Sequence, residues 1–165
     1  MASSIRARTP YFLIVFVVLI LDRATKALIH AMFPLHSSYR VIDGFFDITY
    51  VRNTGVAFGI FSSTSAQWKA ALLSLFTAAA VVMVVVYSMK SSAGNRLLQV
   101  ALGLILGGAL GNLYDRITYG YVIDFLEFYA GSYHWPTFNI ADAAISTGVF
   151  LLALEIIRGE NPAQA

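Results

Sequence analysis

Four long runs of hydrophobic residues, separated by shorter polar or mixed segments, dominate the pattern along the chain. The runs cover residues 11–31, 69–88, 97–114 and 138–157. A helix needs about 20 residues to cross the roughly 30 Å of hydrocarbon in a bilayer, and each run is close to that length. The pattern therefore predicts an all-α integral membrane protein with four transmembrane helices.

The first run differs from the others because it turns polar in its second half, at Asp22, Arg23 and Lys26. A cleavable signal peptide has the same order of features: basic residues, then an apolar stretch, then small residues. Because Lys26 fits a small-residue cleavage site poorly, we favour a membrane span. The signal peptide stays open as the alternative.

Basic residues are unevenly distributed between the connections, and they predict the orientation. The segments 1–10, 89–96 and 158–165 hold five Lys or Arg in 26 positions, whereas 32–68 and 115–137 hold three in 60. Since Lys and Arg are enriched in cytoplasmic connections, both termini should be cytoplasmic and both long connections should face outward.

The two outer connections differ in character. Residues 41–61 mix β-branched and aromatic residues and contain a turn signal at Asn53, Thr54 and Gly55, which predicts a small extracytoplasmic β-rich segment at the membrane surface. Residues 117–137 are aromatic-rich, and they are too few and too charged to span a bilayer. We predict that residues 1–165 form a single membrane domain.

The composition supports a membrane protein and excludes several functions. Hydrophobic residues make up 58% of the chain and charged residues only 12%, whereas a soluble domain is near half apolar and a quarter charged. The net charge is +2 and the basic residues form no patch, so a nucleic-acid partner is not expected. Because Cys is absent, disulfides, thiolate metal sites and cysteine nucleophiles are excluded.

Ionisable and amide side chains inside the spans are functional candidates, because each is costly in lipid unless it has a partner. Asp22 and Lys26 are four residues apart, which favours a structural ion pair over a chemical role. Gly103, Gly107 and Gly111 form a stripe that indicates close helix packing. The neighbouring stripe ends in Asn112 and Arg116, which we assign to peptide or carboxylate binding instead.

Two acids lie where the outer ends of the spans should be. Asn139 and Asp142 share one face at the start of the fourth span, and Asp124 lies in an apolar strip of the preceding connection. The sequence leaves open whether Asp124 and Asp142 meet. Histidine spacing predicts no zinc site, and nothing places Ser146 beside Lys26 as a nucleophile and base. A carboxylate pair is the best remaining chemistry, and a small proton- or ion-coupled carrier subunit is the alternative.

Four blocks of sequence closely resemble the bacterial lipoprotein signal peptidase (signal peptidase II) family. They are LDRATKA in the first run, RNTGVAFG at 52–59, LGGALGNLYDRITYGYVIDF at 106–125 and FNIADAAI at 138–145. The resemblance covers the whole chain in order. Val56 stands where many members have Ala, a small change from which we expect no effect on activity.

The resemblance implies an intramembrane aspartyl endopeptidase of the inner membrane, with its site at the outer face. Its substrates would be diacylglyceryl-modified prolipoproteins, cut on the N-terminal side of the lipidated Cys, and membrane lipid would surround a monomer that needs no metal or other cofactor. The matching catalytic residues are Asp124 and Asp142. The residues that match substrate-binding or site-supporting positions are Asp22, Lys26, Asn53, Gly55, Asn112, Arg116, Asn139 and Ala141.

Overall fold

The part of the chain that the structure describes forms four long helices and a small antiparallel sheet. A computed structural model describes residues 8–55 and 66–159, and the predicted β-rich residues 56–61 lie outside this part, as do both termini. In chain order the elements are α1 (Thr9–Met32), β1 (Ser38–Ile42), β2 (Phe46–Asn53), α2 (Ala66–Lys90), α3 (Arg96–Tyr119), β3 (Val122–Ala130), β4 (Tyr133–His134) and α4 (Ile140–Gly159).

Three of the helices are long and apolar enough to cross a membrane, namely Ala71–Lys90, α3 and α4. The helical part of α3 extends to Tyr119, five residues past the predicted run. It ends where Gly120, with φ of +79°, forms a left-handed cap. This extension keeps Arg116 on the helix, so that its side chain has a fixed position at the end of the apolar segment.

Helix α3 lies at the centre of the bundle and packs against the other three helices. The predicted glycine stripe faces α1, as expected for close packing. A Cβ added at Gly107 would lie 2.8 Å from Val18 Cβ, and one at Gly111 would lie 2.5 Å from Asp22 Oδ2. Substituting either glycine would therefore force α1 away from α3.

The prediction covered only the first half of the sheet, because the connection between α3 and α4 also forms strands. The strand order is β1-β2-β3-β4, with every neighbouring pair antiparallel. Strand β3 pairs with β2 so that Asp124 lies opposite Val51 and Val122 lies opposite Asn53. The apolar strip around Asp124 is thus a strand with a buried first half rather than an irregular loop.

A hydrophobic cluster joins the sheet to the C-terminal end of α1. Ile29 of α1 packs with Tyr50 of β2 and with Ile123 and Phe125 of β3, and all four are buried. Because Ile123 and Phe125 point into this cluster, Asp124 between them points to the opposite face of the strand. There it meets the start of α4.

Candidate active site

Asp142 is oriented by the N-terminus of α4. The side chain Oδ1 of Asn139 accepts a hydrogen bond from the Asp142 backbone N–H at 2.9 Å, and the Asn139 backbone N–H donates to Asp142 Oδ2 at 3.3 Å. This reciprocal pair has the form of a capping box, which the sequence FNIAD encodes locally. The carboxylate therefore lies in the first turn of α4, where the helix dipole favours a negative charge.

Asp124 reaches the same place from β3, and Asn139 connects the two acids. Asn139 Nδ2 donates to Asp124 Oδ1 at 2.7 Å, and Asn53 Nδ2 donates to Asp124 Oδ2 at 2.9 Å. Asn139 is fully buried and Asp124 is nearly so. A single asparagine thus holds one carboxylate through its side chain and caps the helix that carries the other.

Burial raises the pKa of Asp124 to about 6, well above the usual value for an aspartate. The hydrogen bond from Asn53 lowers this pKa, and the nearby negative charge of Asp142 raises it. Desolvation and a like charge both disfavour the ionised form, so the pair can retain one proton at a mildly acidic pH where isolated aspartates are ionised.

A buried network behind the site fixes the orientation of Asn112. Lys26 Nζ donates to Asn112 Oδ1 at 2.9 Å, and Asn112 Nδ2 donates to Asp142 Oδ1 at 2.7 Å. Because an ammonium can only donate, it selects the amide orientation in which the Asn112 NH₂ group faces Asp142. Lys26 is therefore coupled to the site through one intervening side chain.

The charge of Lys26 is balanced by two acids that are also fully buried. Its Nζ lies 2.9 Å from Asp22 Oδ2 and 2.9 Å from Asp115 Oδ2. Asp115 also pairs with Arg23, and Asp22 Oδ1 accepts the backbone N–H of Ala141 at 3.0 Å. The cluster ties α1 to α3 and to the start of α4, in agreement with the structural ion pair predicted for Asp22 and Lys26.

An open cleft of about 560 Å³ leads to Asp124. Its walls come from β2, α2, α3, β3 and the segment before α4, and its lining includes Asn53, Gly55, Leu73, Arg116, Asp124 and Thr137. Arg116 is partly buried there and interacts electrostatically with Asp142 and Asp124. The cleft thus presents a guanidinium and the Asp124 carboxylate, and Asn139 links Asp124 to Asp142 beside it. Such a set of groups can bind a peptide and transfer protons to and from it.

The predicted turn at the end of β2 forms one wall of the cleft. Asn53 Oδ1 accepts the backbone N–H of Gly55 at 2.8 Å, and Gly55 has φ of +81°. The positive φ favours glycine here, and an added Cβ would also displace the end of the Leu73 side chain of α2. Val56 lies outside the described residues.

The structure brings the predicted residues together in two groups. Asn53, Gly55, Arg116 and Asp124 line the cleft, whereas Asp22, Lys26, Asn112, Asn139 and Ala141 form the buried support around Asp142. Sequence reasoning missed Leu73, Thr77 and Thr137. A threonine or leucine in an apolar run carries no signal that separates the cleft from the lipid face.

Comparisons with known proteins agree with this arrangement. The family model described as signal peptidase (SPase) II matches residues 14–158. A lipoprotein signal peptidase of Geobacter sulfurreducens is 46% identical over 143 residues, covering 87% of this chain and 88% of the relative. One from Syntrophus aciditrophicus is 44% identical over 144 residues, covering 87% and 89%.

A solved structure of a bacterial membrane enzyme, determined by the in meso method, is also similar. It shares 32% sequence identity, covers 94% of this chain and 93% of its own, and gives a TM-score of 0.82. The three comparisons agree. The family model matches most of the chain, both relatives are more than 40% identical, and the solved membrane enzyme has the same fold. The chain belongs to the signal peptidase II family of membrane-bound peptidases.

Proposed function

We propose that this protein removes the signal peptide from diacylglyceryl-modified prolipoproteins by means of Asp124 and Asp142, cutting on the N-terminal side of the lipidated Cys. The main observation behind the proposal is that Asn139 forms hydrogen bonds with both Asp124 and Asp142, beside a cleft that contains Arg116. The relatives named lipoprotein signal peptidase supply the substrate class.

In this mechanism the two acids share one proton. Asp142 is the ionised partner, because the helix N-terminus and Asn112 stabilise its negative charge. Asp124, whose pKa is raised to about 6, holds the proton. Asp142 takes a proton from water as the water attacks the scissile carbonyl, and Asp124 donates its proton to the developing oxyanion or to the leaving amine.

Arg116 and Asn53 bind the substrate backbone in this account. Both line the cleft beside Asp124, and a guanidinium offers several donors for peptide carbonyls.

We propose that α1 also crosses the membrane, which makes four spans in one membrane domain. Its 24 residues extend for about 36 Å at 1.5 Å per residue. Its charged residues Asp22 and Lys26 are fully buried against α3, while Phe16 and Leu28 are exposed. With both termini cytoplasmic, the sheet and the cleft face outward from the inner membrane, and the surrounding lipid gives the anchored substrate lateral access.

This orientation predicts the labelling of single cysteines introduced into a chain that has none of its own. Ser132→Cys, in the turn between β3 and β4, should react with a membrane-impermeant maleimide in spheroplasts. Ser92→Cys, between α2 and α3, should react only after the membrane is permeabilised. Both serines are exposed, so access to the reagent depends on the side of the membrane. The reverse pattern would contradict the proposed topology.

The shared proton predicts how pH affects an Asn53 variant. The Asn53 hydrogen bond lowers the pKa of Asp124, so Asn53→Ala should raise this pKa. Asp124 then keeps its proton to higher pH, and the alkaline limb of kcat/KM should move to higher pH even though the maximum falls. A pH–rate profile against the wild-type enzyme measures the shift. If the alkaline limb stays at the same pH or moves to lower pH, Asn53 does not control the pKa of Asp124.

A paired-substrate assay tests the proposed function. Purified protein in detergent micelles is incubated with a diacylglyceryl-modified prolipoprotein and with the same prolipoprotein lacking the lipid. We expect cleavage of the lipidated form only, immediately before its modified Cys. Equal cleavage of both forms, or of neither, would overturn the proposed substrate.

A further inference from the structure

The guanidinium of Arg116 is held by a hydroxyl from α2. Arg116 Nη1 donates to Thr77 Oγ1 at 3.3 Å, and the Thr77 hydroxyl donates its own proton to the Leu73 carbonyl oxygen at 2.7 Å. That second bond, to the preceding turn of the helix, fixes the rotamer of Thr77. A lone pair of Oγ1 is thereby directed at Arg116 and not at the lipid.

Arg116 lies among several acids that attract it. Asp115 on α3, Asp124 on β3 and Asp142 on α4 all interact electrostatically with the guanidinium, and Lys26 on α1 is the other cation close to Asp124. Because Arg116 is partly shielded from solvent in the cleft, this attraction is stronger than it would be in bulk water. A guanidinium free to move would form a two-point ion pair with a carboxylate, which is its preferred geometry.

We propose that Thr77 is a positioning residue that holds Arg116 out of a direct ion pair with Asp124 and Asp142, leaving its other N–H donors for the substrate. This inference rests on the proposed function, because it assigns Thr77 a part in the same reaction. It extends the site to α2, the helix that contributes Leu73 and Thr77 to the surroundings of Arg116.

The proposal predicts two linked effects when the hydroxyl is lost. Thr77→Val keeps the shape of the side chain but removes the acceptor, so Arg116 can turn towards the carboxylates. Binding of the substrate weakens, because the donors of Arg116 are then occupied. A guanidinium next to the acids also favours their ionised forms, so the shared proton is lost at lower pH.

The experiment compares Thr77→Val with Thr77→Ser, which retains the hydroxyl, in the cleavage assay with lipidated prolipoprotein. We expect Thr77→Val to lower kcat/KM about tenfold, as for loss of one hydrogen bond to a charged group, and to move the alkaline limb to lower pH. Thr77→Ser should retain the wild-type profile. Thr147→Val, on the exposed face of α4, is the matched control and should change neither quantity.

A double-mutant cycle separates positioning from a general effect on folding. If Thr77 acts through Arg116, then Thr77→Val should have no further effect on kcat/KM in an Arg116→Ala background. Additive losses, or an unchanged pH profile in Thr77→Val, would overturn the proposal. These results leave the proposed function intact as long as the wild-type enzyme cleaves the lipidated substrate. Absence of that cleavage would instead count against the proposed function.

Discussion

Asp124→Asn and Asp142→Asn should each abolish cleavage of a lipidated prolipoprotein while the protein stays folded and still binds the substrate. Asparagine keeps the size and shape of the side chain but neither accepts a proton from water nor donates an acidic one. General acid–base catalysis typically contributes about 100- to 10,000-fold, and either substitution removes the shared proton. Initial rates and substrate binding are measured on the same purified variants.

Asp43→Asn is the matched control for these variants. Asp43 lies in the turn between β1 and β2 as an exposed partner of Arg40, and its substitution should leave the rate unchanged. A dyad variant that still cleaves at close to the wild-type rate would contradict the two-aspartate mechanism. Asp115→Asn would be a less suitable control, because Asp115 is buried against Lys26 and Arg23.

Lys26→Met should cause the largest loss of stability among the substitutions considered. The buried cluster contains two cations, Arg23 and Lys26, and two anions, Asp22 and Asp115, so it is neutral as a whole. Removing the ammonium leaves an unbalanced negative charge in the protein interior. Breaking a buried ion pair in this way costs about 3 to 5 kcal/mol. Thermal unfolding in detergent should show a clearly lower Tm.

Restoring neutrality provides the test of that explanation. The double variant Lys26→Met with Asp22→Asn has one cation and one anion left in the cluster, so it should recover part of the lost Tm. It should not recover full activity, because Asn112 Oδ1 has lost its ammonium donor and is left with the longer, 3.3 Å hydrogen bond from Asn139 Nδ2 to orient it towards Asp142. Lys90→Met, at an exposed position at the C-terminal end of α2, is the control for simple loss of a positive charge. If the double variant is less stable than Lys26→Met, charge imbalance is not the cause.

The helices, the turn at the end of β2 and the cap at the start of α4 could be predicted from the sequence because their signals are local. Apolar runs have the length of a bilayer, and a polar side chain inside such a run is conspicuous. The turn at Asn53 and Gly55 and the cap formed by Asn139 and Asp142 depend on residues two or three positions apart. Such short-range patterns are visible in one sequence.

The contacts that unite the site could not be predicted, because they join residues far apart in the chain. Asn53 contacts Asp124 only because β2 pairs with β3 in this register. The sequence did not predict that pairing, since the short apolar segment around Asp124 carries no clear strand pattern. Lys26 and Asn112 are 86 residues apart, with β1, β2 and α2 between them. Thr77 gave no signal, since a threonine can lie unnoticed in an apolar helix.

A single-turnover reaction in ¹⁸O-labelled water tests the central claim most directly. Excess enzyme is mixed with lipidated prolipoprotein, and the masses of the enzyme and the released signal peptide are followed over time. If Asp124 and Asp142 activate water, the new carboxylate of the signal peptide gains one ¹⁸O and the enzyme mass never changes, while neither Asn variant forms product. An enzyme species heavier by the mass of the signal peptide would show a covalent acyl intermediate and contradict the account.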